Sequence, residues 1–427
     1  MTTQESYPTP ERAGIMDVCL LLGRIMFHNG ATVQRIIDSM NYLQAFFGGN
    51  KIHVLVTYDA IAVTDIKGDR FYTKIDQNRD FAGINIAVLT AIRTLLKDLP
   101  KTGFSVEALK DKLMEISEMK SSIGGIMQHV VFGLTGVSFG ILNNADIWTG
   151  CSVFLSSMMI SLVKTLFMSR EYNLFVSILI AALSGTILSC LFVKLMPTIT
   201  PLVAIIAPVL PMIPGFPLIN GGIDILRNHN SVGLARIAFA AMLISTLTLA
   251  IAGPLVLFFG TLENPLPVAH SIPSMLVRYC ISGSCAAVLM GMIFNAPRHY
   301  LWMFGLGGAA TLLIRSFCFL FLRTDPVTAT FFGAAGITVI AFILSRRHLL
   351  PPVLFAVICV LTMTPGYLIV SGLNDCFALC KMTVKDIPYE LLLSTAHTLM
   401  RAGLIVFAMI AGVVFPILIL EGRSTRV

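Results

Sequence analysis

Charge is scarce in this sequence. Asp, Glu, Lys and Arg make up 12% of its 427 residues, against about 25% in ordinary soluble domains, and the mean hydropathy is +0.83. That deficit excludes a string of soluble domains and places most of the chain in lipid. The charge present is unevenly spread. Residues 1–124 hold fourteen basic and fourteen acidic side chains, so the net charge of +7 belongs to the hydrophobic remainder. With no basic excess in the polar part, a nucleic-acid partner is not expected. A secretory leader is not expected, because Asp17 and Arg24 interrupt the first apolar stretch, and the N-terminal part is expected to stay on the side where it is made. The nine cysteines are scattered, and Cys376 and Cys380 lack the second pair that a zinc site needs, which leaves free thiols and no metal or cofactor. No glycine-rich phosphate loop occurs. His28, His53, Asp59, Arg79 and Asp80 show no nucleophile–base spacing, so no catalytic site is assigned and the protein is not expected to be an enzyme.

What is present begins with helical periodicity. Ile15, Val18, Leu22, Ile25 and Met26 recur at spacings of three and four, and a second such pattern runs from Val33 to Phe47 after Asn29-Gly30. Ile52 to Tyr58, Ala60 to Ile66 and Arg70 to Ile75 are rich in β-branched and aromatic residues. Lys67-Gly68-Asp69 joins the last two as a hairpin. Helical spacing returns at Ile84 to Leu96 and Val106 to Met119. Residues 1–124 therefore read as a soluble α+β domain.

From residue 125 apolar stretches follow one another, each long enough to cross about 30 Å of hydrocarbon at about 1.5 Å per residue. Spans are expected near 125–142, 147–167, 174–195, 200–221, 232–260, 271–294, 300–321, 326–344, 349–373 and 390–420. With the N-terminus inside, Arg170, Arg227, Arg298, Arg346, Arg347, Arg423 and Arg426 fall on the cytoplasmic side and only Arg323, Lys381 and Lys385 outside. The excess favours both termini cytoplasmic.

The chain also repeats itself. Residues 201–226 match 352–377 without a gap at an offset of 151. Pro201, Val209, Leu210, Met212, Pro214, Gly215, Gly221 and Asp224 recur as Pro352, Val360, Leu361, Met363, Pro365, Gly366, Gly372 and Asp375. Weaker echoes set Gly136 and Phe139 beside Gly291 and Phe294, and Ile147-Trp148 beside Leu301-Trp302. About ten transmembrane helices thus divide into two five-helix repeats, 125–262 and 263–427. An odd number of spans inverts the second copy in the bilayer, the architecture of many alternating-access transporters.

Within the fourth span Pro208, Pro211, Pro214 and Pro217 stand three apart, and the ninth carries Pro365-Gly366 at the matching place. Proline removes a backbone donor and clashes with the preceding turn, so both spans are expected to break. Lipid cannot satisfy the freed backbone groups, so the breaks face protein or a wet cavity. Pro214, Gly215, Pro365 and Gly366 are the candidate substrate-binding backbone, with Asn220, Ser371 and Asn374 as neutral groups nearby. Asp224 and Asp375 are either interfacial carboxylates or proton-coupling groups. Arg236 and Arg401 follow the two motif copies, and a guanidinium fork suits a carboxylate; snorkelling to headgroups is the alternative. Lys164, Arg278 and Arg315 are buried cations that need partners, and His129 is an interfacial histidine or a titrating one.

On these residues the chain resembles the threonine/serine exporter family, which includes two-polypeptide relatives associated with succinate export. Gly30-Ala31 with Arg35, Ile61 to Thr64, Arg79, Gly83-Ile84-Asn85, Pro214-Gly215 and Pro365-Gly366 carry the resemblance, which spans nearly the whole chain. Where the family often has an acidic residue after Gly-Ala, Thr32 stands here, and no role of that carboxylate transfers. The resemblance implies a bacterial inner-membrane protein exporting serine, threonine or a dicarboxylate such as succinate, driven by the proton motive force. Its partners would be the solute, protons and the bilayer, with a homo-oligomer open. Two readings from other classes are a membrane-anchored hydrolase with its site in the N-terminal domain and a passive channel.

Overall fold

Apolar residues at helical spacing form helices where the periodicity places them. The computed structural model describes residues 10–49, 51–77, 83–196, 198–259, 271–345, 350–383 and 387–421. Arg79, Asp80, Arg346, Arg347, Lys385, Arg423, Arg426 and the repeat boundary at 262 lie outside the described residues.

Helix α1 (Pro10–His28) packs on α2 (Val33–Phe46) and on an antiparallel sheet of β1 (His53–Val56), β2 (Ala60–Lys67) and β3 (Arg70–Gln77). The hairpin register pairs Ala60 with Gln77 and Lys67 with Arg70, and Gly68 at φ 59° makes the turn. Alternation along β2 turns Ile61, Val63 and Asp65 inward, and Arg12 pairs with the buried Asp65 at 3.1 Å. Helix α3 (Ile86–Thr102) runs past the expected end at Leu96 and through Pro100, stopping at Gly103 in the left-handed region. Helix α4 (Val106–Ser117) starts at Ser105, whose hydroxyl accepts from Ala108 N.

The apolar remainder forms α5 (Ile126–Leu142), α6 (Ile147–Met168), α7 (Leu174–Leu195), α8 (Pro201–Ile206), α9 (Gly215–Leu226), α10 (Asn230–Phe259), α11 (Ile272–Ile293), α12 (Leu301–Leu320), α13 (Pro326–Ser345), α14 (Pro352–Leu361), α15 (Gly366–Cys380) and α16 (Tyr389–Glu421). Among the described residues seven helices are long and apolar enough to cross a membrane, or nine spans when each bent pair counts as one. At 17 residues α5 is shorter. The protein is a multi-pass, mostly helical membrane protein. Both expected breaks are present. After α8 the chain tightens to a 3₁₀ helix over Ala207–Met212 that holds Pro208 and Pro211, and then turns by 55° into α9. The α14–α15 pair bends by 53°. Both broken segments run farther than expected, to Leu226 and Cys380 instead of 221 and 373.

Neighbour relations recur between the two sets of helices. Helix α5 packs on α6 as α11 does on α12. The contacts α6 with α7, α9 with α10 and α7 with α10 are matched by α12 with α13, α15 with α16 and α13 with α16. At the centre the breaks interlock. A Cβ on Gly215 would lie 2.1 Å from Leu361 Cδ2, and one on Gly366 would lie 2.5 Å from Ile213 Cδ1 and 3.1 Å from Leu210 Cδ2. Each break's glycine thus receives side chains of the other break, and a Cβ at either place would push those side-chain ends aside.

Helices α5 and α11 end alike, in Asn144 and Asn295 at φ 67° and 54°. These asparagines stand 151 residues apart, so the offset of the broken spans also holds here, rather than the 155 of the weaker echo at Gly136 and Gly291.

Candidate functional site

The N-terminal elements dock on the membrane helices at three places, all helix ends on one face. At the first, Arg236 on α10 donates to Asp224 on α9 at 2.7 Å and to Ala31 O at 2.8 Å. The other Asp224 oxygen accepts from Val33 N at 3.0 Å, so this carboxylate caps α2, whose own N-cap residue Thr32 makes no side-chain cap bond. Asn220 donates to Gly30 O at 2.9 Å, and Arg236 lies over the Phe27 ring at 5.2 Å. Gly30, at φ 89°, brings its backbone against Ile84, where a Cβ would meet Ile84 Cγ1 at 2.9 Å.

At the second place Ile86 N and Ala87 N donate to Phe294 O and Asn295 O, so the start of α3 meets the end of α11. Asn295 also donates to Asn85 at 2.9 Å and accepts from Ser122 N at 2.8 Å. The third is Arg93 donating to Leu350 O at 2.6 Å, just before α14. The Gly30-Ala31 and Gly83-Ile84-Asn85 stretches are therefore docking segments.

On the opposite side of the breaks lies a cavity of about 390 Å³. It runs from the second break, at Thr362, Thr364 and Pro365, to the far helix ends at Asn143 and Pro326, and Arg315 of α12 and Arg401 of α16 both line it. Tyr279 and Ser316 add polar groups, and no Asp or Glu is among its lining residues. Neither arginine has a hydrogen-bond or ion-pair partner among the described residues. Two guanidinium groups facing one cavity repel each other, and an anion relieves both. Planar forks of N–H donors suit carboxylates in particular.

The structure therefore separates residues that the sequence sets side by side. Arg236 and Asp224 are given to each other and to α2, at the docking face. Arg401 stands 12 residues into α16, about 18 Å along its axis, beside Arg315 in the cavity. The two arginines are not counterparts: Gly221 packs against Arg236, whereas its equivalent Gly372 packs against Thr398 and Leu399. Pro365 lines the cavity that holds Arg315, and Gly366 lines a small one of about 20 Å³ between the breaks. Pro214 and Gly215 stay in the interlocked seam. Ser371 bonds back to Leu368 O at 3.3 Å, and among the described residues the buried Asn374 Oδ1 and Asp375 have no partner; none of the three lines the Arg315 cavity. Arg278 donates to Asn144 Oδ1, and His129 Nδ1 bonds Ser161 Oγ at 2.9 Å.

Reading the sequence alone missed the pairing of Arg315 with Arg401 and the contributions of Tyr279, Ser316, Thr362 and Thr364. A signal existed. Continued upstream, the offset of 151 sets Gln128 against Tyr279, Lys164 against Arg315 and Thr165 against Ser316.

On the docking face the place equivalent to the cavity is nearly filled. Phe216 and Pro217, equivalent to Tyr367 and Leu368, are covered by Phe27, Gly30, Tyr58 and Ile84, leaving about 20 Å³.

A bundle of broken and continuous spans around a carboxylate-free cationic cavity has the build of a membrane transporter. Family comparison agrees: models described as threonine/serine exporter match residues 17–258 and 280–419. The chain belongs to the threonine/serine exporter family and is a membrane exporter of a small molecule. It is similar to the "Probable succinate transporter subunit YjjP" of Escherichia coli, 26% identical over 238 residues, 55% of this chain and 91% of that protein. The protein of the same name from Klebsiella aerogenes is 26% identical over 236 residues, 55% of this chain and 90% of that protein. No solved structure matches the chain.

Proposed function

We propose that the protein is a secondary transporter that exports a small carboxylate-bearing solute of the serine or threonine type, driven by the proton motive force. It is built as two inverted five-helix repeats, 125–262 and 263–427, on an N-terminal α+β domain of residues 1–124. The observation that carries this reading is the pair Arg315 and Arg401, facing one cavity that ends at the broken α14–α15 span and has no carboxylate among its described lining residues. Broken helices add to it, since α14 directs its carbonyl end and α15 its N–H end at the same place. The reciprocal glycine contacts support the inverted repeat, and α5 at 17 residues is the tenth span. Docking puts the N-terminal domain with Arg227, Arg298 and the ends of α9 and α11, in keeping with a bacterial inner-membrane protein whose termini are cytoplasmic. In this arrangement the cavity opens away from the cytoplasm, the side on which an exporter releases its solute.

Charge balance favours a second substrate class. A serine or threonine ammonium finds no acidic side chain among the lining residues, whereas a dicarboxylate satisfies both arginines. The name of the relatives accords with that reading. Of the two candidate proton groups, Asp224 is engaged in the docking pair, which leaves Asp375 for coupling.

The test is counterflow in proteoliposomes with labelled serine, threonine and succinate. Arg401→Ala is expected to raise the half-saturating concentration at least about tenfold, the effect of losing a charged hydrogen bond. Unchanged counterflow for all three solutes would remove the assignment.

A further inference from the structure

Lys164 is the counterpart of Arg315. It lies 151 residues earlier, on α6, in the helix that occupies the place of α12 in the first half. Around it a cavity of about 540 Å³ opens at the docking face, lined by Gln128 and Phe132 of α5, Ser161, Thr165 and Met168 of α6, and Met292 of α11. The correspondence extends to its walls. Gln128, Thr165 and Met168 take the places of Tyr279, Ser316 and Phe319, which line the Arg315 cavity. Gln128 donates to Thr165 Oγ1 at 3.3 Å, which joins the polar groups of the two helices across the mouth. Lys164 itself has no hydrogen-bond or ion-pair partner among the described residues, and no acidic side chain is among those lining its cavity.

The two faces of the molecule thus differ in a definite way. Away from the docked elements, one continuous cavity joins Arg315 to the broken α14–α15 span. On the docking face the same space is split: the part beside Phe216 and Pro217 is filled by Phe27, Gly30, Tyr58 and Ile84, while the part beside Lys164 stays open. An ammonium within a hydrophobic helix seeks an anion, and here the walls around it match those of the far cavity.

We infer that Lys164, with Gln128 and Thr165, forms a second carboxylate site, which receives the solute from the docking face before it passes to Arg315 and Arg401. This rests on the transport reading above. The lysine is a point charge on a flexible stem, whereas the arginine is a planar fork. A loose first capture followed by a more selective hold is the expected order. A lipid phosphate offers the same chemistry to an ammonium and is separated from the solute by the test.

The experiment measures half-saturating concentrations for succinate, serine and threonine separately from each face of oriented proteoliposomes, for the full chain and for Lys164→Gln, Lys164→Arg and Arg315→Gln. The expected result is that Lys164→Gln raises the value at least about tenfold from the docking face and leaves the far face within about twofold. Lys164→Arg, which keeps the charge, restores it. Arg315→Gln raises the value from the far face. An equal change at both faces, or none, from Lys164→Gln with Arg315→Gln still effective overturns the Lys164 site and leaves the transport reading standing. If Arg315→Gln has no effect at either face, the transport reading itself fails. Repeating the series in phosphatidylcholine alone and with added phosphatidylglycerol separates the anions. A Lys164→Gln effect that disappears in pure phosphatidylcholine assigns the lysine to a lipid headgroup and overturns the inference.

Discussion

Asp224 and Arg236, 2.7 Å apart, share one ion pair that also holds the N-terminal elements. Asp224 caps Val33 N, and Arg236 donates to Ala31 O. Both side chains are almost fully buried, at 0% and 7% exposure. Losing one partner strands the other charge, which costs about 3–5 kcal/mol. Asp224→Asn or Arg236→Ala should therefore lower the thermal midpoint of the purified protein by about 5 °C or more and expose the chain near residues 118–125 to protease. The pair Asp224→Leu with Arg236→Met should recover part of the loss, as a double-mutant cycle would register.

Asp375, the equivalent of Asp224 in the second broken span, carries no such load. Asp375→Asn should abolish uphill, proton-driven efflux while leaving exchange of labelled for unlabelled solute near its normal rate. Loss of both together would assign the residue to folding or to solute binding instead.

In the proposed transport cycle Arg401 supplies geometry as well as charge. Arg401→Lys keeps the charge but gives up the planar fork, so the half-saturating concentration in counterflow should rise about threefold, a smaller loss than that of Arg401→Ala.

The interlocked breaks can be loaded from one side. Gly366→Ala brings a methyl to 2.5 Å from Ile213 Cδ1, which should cost about 1–3 kcal/mol through overpacking. Ile213→Val removes that carbon, and the double variant should regain most of the thermal midpoint. A single variant as stable as the parent would show that the seam is loosely packed.

Asp146 precedes α6 and accepts from Thr149, Ile199 and Trp148; burial by itself would raise its pKa, and these bonds outweigh it and hold the carboxyl below its ordinary value. A depressed carboxyl stabilises above its unfolded pKa of about 3.9, and that contribution disappears as pH falls through the folded value. The difference in melting midpoint between the parent and Asp146→Asn should therefore be largest near about pH 7 and shrink toward about pH 3.

Much of this was legible because hydrophobic period and length are local properties. The spans from Ile147, Leu174, Ile272 and Pro326 begin within a residue of their expected starts, and the strand pairing followed from Lys67-Gly68-Asp69. The run of prolines announced the first break and Pro365-Gly366 at the matching place the second, since a missing N–H is a property of the residue itself. The fate of the charged groups was not legible. Whether Arg236 serves a solute or Asp224 depends on a loop some 200 residues away, and whether Arg401 faces lipid or Arg315 depends on how α12 and α16 meet. Side-chain type and chain position carry no distance between helices. The offset of 151 was the exception, and it pointed at Lys164 and Arg315 only when carried beyond the prolines.

The contact of Gly215 with Leu361 also sets a timetable for synthesis. When the first break leaves the ribosome, its partner leucine is still 146 residues away, about 7 to 30 seconds at ordinary elongation rates. During that interval α8 and α9 lie in the bilayer with the groove at Gly215 unfilled and kinked backbone beside it. Early helices must therefore wait for late ones, and interruption of translation between Phe259 and Leu361 would leave an inserted half whose central span has nothing to close on.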